Sequence, residues 1–182
     1  VDDIEIHSDK DLPNATNVHL LCIEATFFAV EKAGFVVKLE VSTFMNPKFV
    51  FLGLQWDLTQ QSSLVQNDRV ASILSHRAPR SLPELASRLA TLQYYQSHLP
   101  LMKRISIPLY RIIKTGKFVW TRVEAHAYGN LLYLMGLQIK NTIYNPTRTT
   151  CYMTDTGALE TALLIFQWDP EKLDLNLIHT KS

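Results

Sequence analysis

Apolar positions recur along this chain with two different periods, and the periods divide it into stretches. In the first, Leu20, Ile23, Phe27 and Val30 recur at spacings of three and four. That spacing predicts a helix which Asn14 or Asn17 can cap and Gly34 stops. Phe35, Val37, Leu39 and Val41 then alternate with Val36, Lys38, Glu40 and Ser42, the pattern of a half-buried strand. After the Asn46-Pro47 turn, Val50, Leu52, Leu54 and Trp56 line one face of a further strand, where Gly53 lets another backbone approach. Ahead of all these, Val1-Asp2-Asp3-Ile4-Glu5-Ile6 reads as a hairpin tip running into a strand.

The middle of the chain reads as helix. Ser81-Leu82-Pro83-Glu84 is a capping box with proline in the first turn, where its missing N–H costs nothing. Leu85, Leu89 and Leu92 follow on one face, and Pro100 ends the run. A second amphipathic helix carries Ile105, Leu109, Ile112 and Ile113, and Gly116 closes it. Beyond Phe118-Val119-Trp120, a second capping box, Thr121-Arg122-Val123-Glu124, starts a helix with Ala125, Tyr128, Leu131, Leu132 and Met135. The end of the chain returns to strands. Residues 150–154 predict a strand ending in Asp155, residues 162–167 its hairpin partner after a Thr156-Gly157 turn, and residues 175–179 a third strand. The fold class is α+β with a helical middle.

Composition narrows the classes. With 182 residues, 47% of them hydrophobic and 19% charged, the chain can bury a core and is not of the disordered type. Two cysteines, Cys22 and Cys151, are too few for a disulfide scaffold, and both read as buried thiols. No apolar run reaches the roughly 20 residues of a membrane span, and no basic-then-apolar leader opens the chain. The expectation is therefore no membrane partner and no secretion by a signal peptide.

Charge changes the picture more. The formal net charge is +1, but residues 1–68 sum to −6, residues 69–122 to +9 and residues 123–182 to −2. A basic middle between acidic flanks fits either a polyanionic partner such as nucleic acid or a solvated helical face.

Candidate chemistry is sparse. Adjacent carboxylates such as Asp2 and Asp3 suit a hard divalent cation like magnesium, and two-metal carboxylate sites serve phosphoryl transfer; taken alone, the pair is a weak signal that a solvated turn explains better. His7, His19, His76, His98, His126 and His179 show no ligand spacing with either cysteine. Trp56, Trp120 and Trp168 read as core or hairpin packing, and no Gly-x-Ser-x-Gly motif supports a Ser-His-Asp triad. Tyr94 and Tyr95 read as core, with stacking on sugars or bases as the alternative.

Taken in order, these landmarks resemble the reverse transcriptases of LTR retrotransposons and retroviruses, from the catalytic palm loop onward. Val1-Asp2-Asp3-Ile4 is similar to the second catalytic motif, 32–44 (beginning Lys-Ala-Gly-Phe) to the segment closing the palm, and Phe51-Leu52-Gly53 to the primer-grip hairpin. Arg80-Ser81-Leu82-Pro83-Glu84-Leu85, Leu92-Gln93-Tyr94-Tyr95, Leu99-Pro100 and Pro108-Leu109 resemble the thumb. Residues 118–125 resemble the connection, and Tyr152-Met153-Thr154-Asp155 with residues 162–167 the opening hairpin of a tethered RNase H. The resemblance implies four regions: residues 1–68 as the end of the palm, 69–117 as a basic thumb, 118–149 as connection and 150–182 as the start of an RNase H-like domain.

It also implies roles. Asp2 and Asp3 would bind magnesium for nucleotidyl transfer, and Asp155 would be a ligand in a separate RNA-cutting metal site. Arg69, Arg77, Arg80, Arg88, Lys103, Arg104, Arg111, Lys114 and Lys117 would hold an RNA–DNA or DNA primer–template duplex by its phosphates. The other partners would be an N-terminal palm with fingers and the remainder of RNase H, within a cell or a viral or element-encoded particle.

The departures are specific. The family's other polymerase aspartate lies before the Asp-Asp loop, and its later RNase H carboxylates would lie beyond Ser182; Glu160 is too close to Asp155 to be one of them. Val41 stands where a lysine is expected, with Lys38 three positions early. Ala90-Thr91 replaces Leu-Gly, and Thr156-Gly157 replaces Ala-Ser. Neither active site is complete in these residues, so the chain alone is expected to be inactive. The alternative is a catalytically inactive, polymerase-derived structural or interaction protein.

Overall fold

The structure, a computed structural model, describes residues 4–6, 13–156, 161–171 and 173–181. Five α-helices and seven strands follow along them: α1 (Ala15–Lys32), β1 (Lys48–Phe51), β2 (Leu54–Asp57), β3 (Ser62–Val65), α2 (Asn67–Ser75), α3 (Leu82–Tyr94), α4 (Met102–Thr115), α5 (Arg122–Gly136), β4 (Asn141–Thr142), β5 (Thr150–Thr156), β6 (Thr161–Asp169) and β7 (Asp174–Lys181). One antiparallel sheet has the order β1-β2-β3-β4 and a second the order β5-β6-β7. The class is α+β, as the pattern predicts.

The core lies among the middle helices. Leu85, Leu89 and Leu92 fall on one face of α3 and are buried with Leu109 and Ile112 of α4, Leu131 and Met135 of α5, and Val70 and Ile73 of α2. α4 packs on both α3 and α5, and α5 also packs on α2. The caps are local. Ser81 Oγ accepts the Glu84 N–H at 3.4 Å, but the Glu84 carboxylate reaches past its expected partner to the Arg80 N–H at 2.9 Å. Thr121 and Glu124 form the full reciprocal box, with the Glu124 carboxylate accepting the Thr121 N–H at 2.9 Å and also bonding the Thr121 hydroxyl. α4 ends at Gly116, whose φ of 68° only glycine adopts without strain. Asn14 is the residue before α1 but makes no side-chain capping bond; α1 ends in paired bonds from Gly34 N–H to Glu31 and Phe35 N–H to Val30, around a left-handed Gly34.

Three expectations are corrected. Residues 35–41 form no strand; a single 3-10 turn covers Leu39–Val41, and Val36 and Val41 are 90% and 79% exposed. Alternation makes a segment competent for a sheet, but only a neighbouring backbone satisfies its N–H and C=O groups, and no described strand pairs with it. Residues 50–56 form a hairpin rather than one strand. Leu52 and Gly53 both have positive φ, 52° and 74°, the requirement of a two-residue turn that matches strand twist. Reversal there puts Phe49 opposite Trp56 and Phe51 opposite Leu54, so these four share the inward face and Val50 lies on the other, opposite Gln55. Finally, Ile4, Glu5 and Ile6 lie in neither helix nor strand, and Val1, Asp2 and Asp3 lie outside the described residues.

Candidate nucleic-acid interface

The basic residues of the middle stretch occupy distinct elements. Arg69 lies on α2, Arg77 and Arg80 on the connection to α3, Arg88 on α3, Lys103, Arg104, Arg111 and Lys114 on α4, and Lys117 just beyond it. At about 100° per residue, the four basic positions of α4 fall within roughly a 100° arc. Its buried positions, Met102, Ser106, Leu109 and Ile112, take the opposite side. Sequence periodicity therefore sorts charge from core on this helix, and the cationic arc is exposed.

Arg88 differs from the rest. Its side chain is 19% exposed, lies 3.7 Å from the Glu84 carboxylate one turn earlier, and comes near enough to the Tyr128 hydroxyl of α5 to act on it. Burial holds the Tyr128 hydroxyl above the usual phenol range, while Arg88 works the other way. Arg88 is thus turned toward the α3–α5 contact, where its guanidinium bridges two helices.

The β1–β2 hairpin is held at both ends. At its open end Lys48 and Asp57 pair across the strands at 3.1 Å. The Thr59 hydroxyl, donating at 2.5 Å, is the main reason the Asp57 carboxyl is lowered to about 2, with help from the Gln60 N–H and Lys48. At its tip the turn meets the end of α3. The Tyr94 hydroxyl donates to the Leu52 carbonyl at 2.9 Å, and a Cβ on Gly53 would come within 2.7 Å of the Tyr95 hydroxyl. The missing Cβ of Gly53 makes room for a side chain, and the second backbone that the sequence suggests meets the Gly53 carbonyl through the Gln66 N–H at 3.0 Å. Tyr95 is buried, as expected of a core residue, whereas the Tyr94 ring is 57% exposed.

Behind the hairpin sheet lies a polar junction that sequence reasoning missed. His98, 3% exposed at the end of the Gln96–His98 3-10 turn, places Nε2 3.3 Å from Ser63 Oγ of β3 and Nδ1 3.1 Å from Ser97 Oγ. Asn141 of β4 donates to the Ser97 carbonyl at 2.7 Å. Burial depresses the His98 pKa to about 4, against a smaller opposing hydrogen bond with the Ser63 backbone. The signal for this cluster is the pair Ser62-Ser63, both buried, within a short strand. It is not visible until the strand's partners are known. A second polar cluster supports the other sheet. The fully buried Gln167 amide donates to the Asn145 carbonyl at 2.7 Å and accepts the Asn145 N–H at 2.8 Å, and buried Asp169 pairs with Arg148 at 3.2 Å.

The carboxylate candidates are placed less fully. Asp155 stands in β5, in register with Ala162 of β6. Asp2 and Asp3 lie outside the described residues, as do Gly157 and Glu160. Among the described residues no three His, Cys, Asp or Glu side chains converge on a common point. Cys151 is exposed and Cys22 partly so, which corrects the reading of both as buried thiols. Trp120 stacks on Phe118 at 5.8 Å and meets Tyr128 edge-on, a packing role as expected. Among the described residues no helix is long and apolar enough to cross a membrane.

No family model matches the chain. In sequence it is 26% identical over 126 residues to the Pro-Pol polyprotein of feline foamy virus, covering 68% of this chain and 10% of that protein. In structure it matches the foamy viral protease-reverse transcriptase in complex with RNA/DNA hybrid, with a TM-score of 0.67, 17% identity, and coverage of 93% of this chain and 23% of that one. Two further solved structures of that protein, both with double-stranded DNA, match with TM-scores of 0.68 and 0.66, identities of 18% and 20%, and coverage of 93% and 90% of this chain. The chain spans 30% and 34% of those two. The resemblance to retroviral reverse transcriptases is thereby borne out, in sequence by the polyprotein and in fold by the solved structures.

Proposed function

We propose that this chain is part of an RNA-directed DNA polymerase and holds a primer–template duplex on the basic surface of α2, the α2–α3 connection and α4. What carries the reading is a coincidence of fold and charge. Nine-tenths of the chain shares its fold with a protein solved on double-stranded DNA and on RNA/DNA hybrid, and the basic residues of α2, the α2–α3 connection and α4 are exposed. Clustered Lys and Arg grip phosphates without reading sequence, and each contact releases counterions, so affinity falls steeply with salt.

In this reading residues 1–68 are the end of the palm, with β1–β2 as the primer-grip hairpin. Residues 69–117 are the thumb, 118–149 the connection and 150–182 the start of RNase H. Asp2 and Asp3 offer the hard carboxylate oxygens that magnesium prefers, and Asp155 offers one to a second site. Bound there, the ion would supply charge stabilisation at the oxygens of phosphoryl transfer. A second reading, a polymerase-derived structural or interaction protein, is favoured by Val41 in the lysine position and by an α1 with no buried residue.

Binding of a fluorescent RNA–DNA hybrid across a salt series tests the two. Arg104→Ala and Lys114→Ala should each reduce the slope of log affinity against log salt by about 1. Arg88→Ala should instead lower thermal stability. Absence of binding at low salt would overturn the duplex reading in favour of the structural one.

A further inference from the structure

Two segments distant in sequence meet at the tip of the β1–β2 hairpin, and the contact is built from both sides. The turn carbonyl of Leu52 accepts the Tyr94 hydroxyl across 42 positions of chain, at 2.9 Å. The next residue, Gly53, leaves room for the Tyr95 hydroxyl, which a Cβ would meet at 2.7 Å. The two tyrosine rings stand nearly perpendicular, at 89°, with centroids 4.9 Å apart, so each supports the position of the other. The Gly53 carbonyl accepts the N–H of Gln66, the residue that precedes α2, at 3.0 Å. Arg69, in the first turn of α2, lies near enough to act on the Tyr95 hydroxyl. The tip thus joins the start of α2, where Arg69 lies, to the end of α3, which leads into α4 and its basic arc.

An exposed two-residue turn does not need these contacts to form. Its positive φ values suffice, and a glycine with an asparagine or aspartate is the usual way to obtain them. Leu52 at φ 52° is an unfavoured choice that external contacts must support.

We propose that Tyr94 and Tyr95 are positioning residues that latch the hairpin tip to the end of α3, so that hairpin, α2 and α4 present one rigid surface to a nucleic-acid duplex. The role rests on the duplex-binding reading above. The latch sets where the cations sit relative to one another, and hence how many phosphates they reach together.

The test uses the full chain and the hybrid duplex. Tyr94→Phe removes one hydroxyl and no charge. Amide exchange at the hairpin tip should speed up about five-fold, the worth of one such hydrogen bond, and the salt slope should fall by about 1. A residue that merely stabilises the fold would leave that slope alone. Gly53→Ala should loosen the tip more, and adding Tyr95→Phe should recover part of the loss, because the hydroxyl that obstructs the new methyl is gone. Unchanged tip exchange in Tyr94→Phe, or strictly additive effects of the Gly53 and Tyr95 changes, would overturn the latch. A looser tip with an unchanged salt slope would overturn its positioning role. Failure of the unaltered chain to bind duplex is a separate result that removes the duplex reading, and the positioning role with it.

Discussion

Helices α1 and α3 are both apolar-rich and both bounded by recognisable residues, yet they live in different environments. α3 sorts its residues: Leu85, Leu89 and Leu92 are nearly inaccessible, while Glu84, Ser87 and Gln93 face outward. α1 has apolar residues around most of its circumference and buries none of them; Leu21 and Phe28 are 63% and 67% exposed. A helix that is hydrophobic all round is normally an interior helix. The contrast teaches that hydrophobic content alone does not place a helix in the core: among the described residues α1 is half-buried along the face of Ile23, Phe27 and Val30 only, where Phe27 meets Phe44. It also locates the stability of the described structure among α2–α5.

The contrast can be broken most directly by truncating each helix. Leu89→Ala in α3 or Leu131→Ala in α5 should cost about 2–5 kcal/mol in denaturant unfolding, the usual loss for a fully buried leucine. Leu21→Ser or Phe28→Ser in α1 should change stability by less than about 0.5 kcal/mol. A loss above about 2 kcal/mol at either α1 position would mean that the helix is packed in solution, and the two helices would not differ.

Acid sharpens the comparison at the next scale. His98 sits at the margin of the α2–α5 core with a pKa of about 4 against an ordinary 6.5. A group whose folded pKa is depressed is fully stabilising, when neutral, above its unfolded pKa. Below pH 6.5 the unfolded chain takes up a proton that the folded chain refuses, so stability falls until about pH 4. The loss across that window should reach about 3 kcal/mol. His98→Gln should flatten this part of the stability–pH curve, measured by urea unfolding at stepped pH. An unchanged acid limb in the variant would move the origin of acid sensitivity elsewhere.

The smallest expected effect compares the helix starts. Thr121→Ala removes a reciprocal capping box at α5 and should cost about 1 kcal/mol. Asn14 makes no side-chain cap at α1 and has a φ of 60°, so Asn14→Gly should cost no more than a few tenths of a kcal/mol. Thermal melts of the two variants read the difference. Equal losses would show that α1 depends on its first residue as much as α5 does.

Legibility followed the range of the interactions. The Thr121–Glu124 box, the leucines of α3, the closure of α4 at Gly116 and the strands of the second sheet were all readable, since each rests on neighbours within about one or two turns or on simple alternation. Residues 35–41 misled because alternation states what a strand could be and not what pairs with it. Residues 50–56 misled because a two-residue turn lets an apolar run read straight through a reversal. The nine basic residues were readable as a charge block, but the separation of Arg88 from Arg104 was not. Arg88 is half-buried, with Glu84 beside it and Tyr128 across from it, whereas Arg104 is exposed.

By itself, then, the sequence determined the α+β class, the helical middle, the caps and the cationic stretch, because periodicity, capping and charge act through the nearest residues. Only the tertiary structure decided that Tyr94 and Tyr95 meet the Leu52–Gly53 turn, that His98 is buried against Ser63 and Ser97, and that no residue of α1 is fully buried. Those outcomes depend on which surfaces meet after the chain has closed loops of 30 residues or more, and burial and hydrogen bonding acquire their values only there.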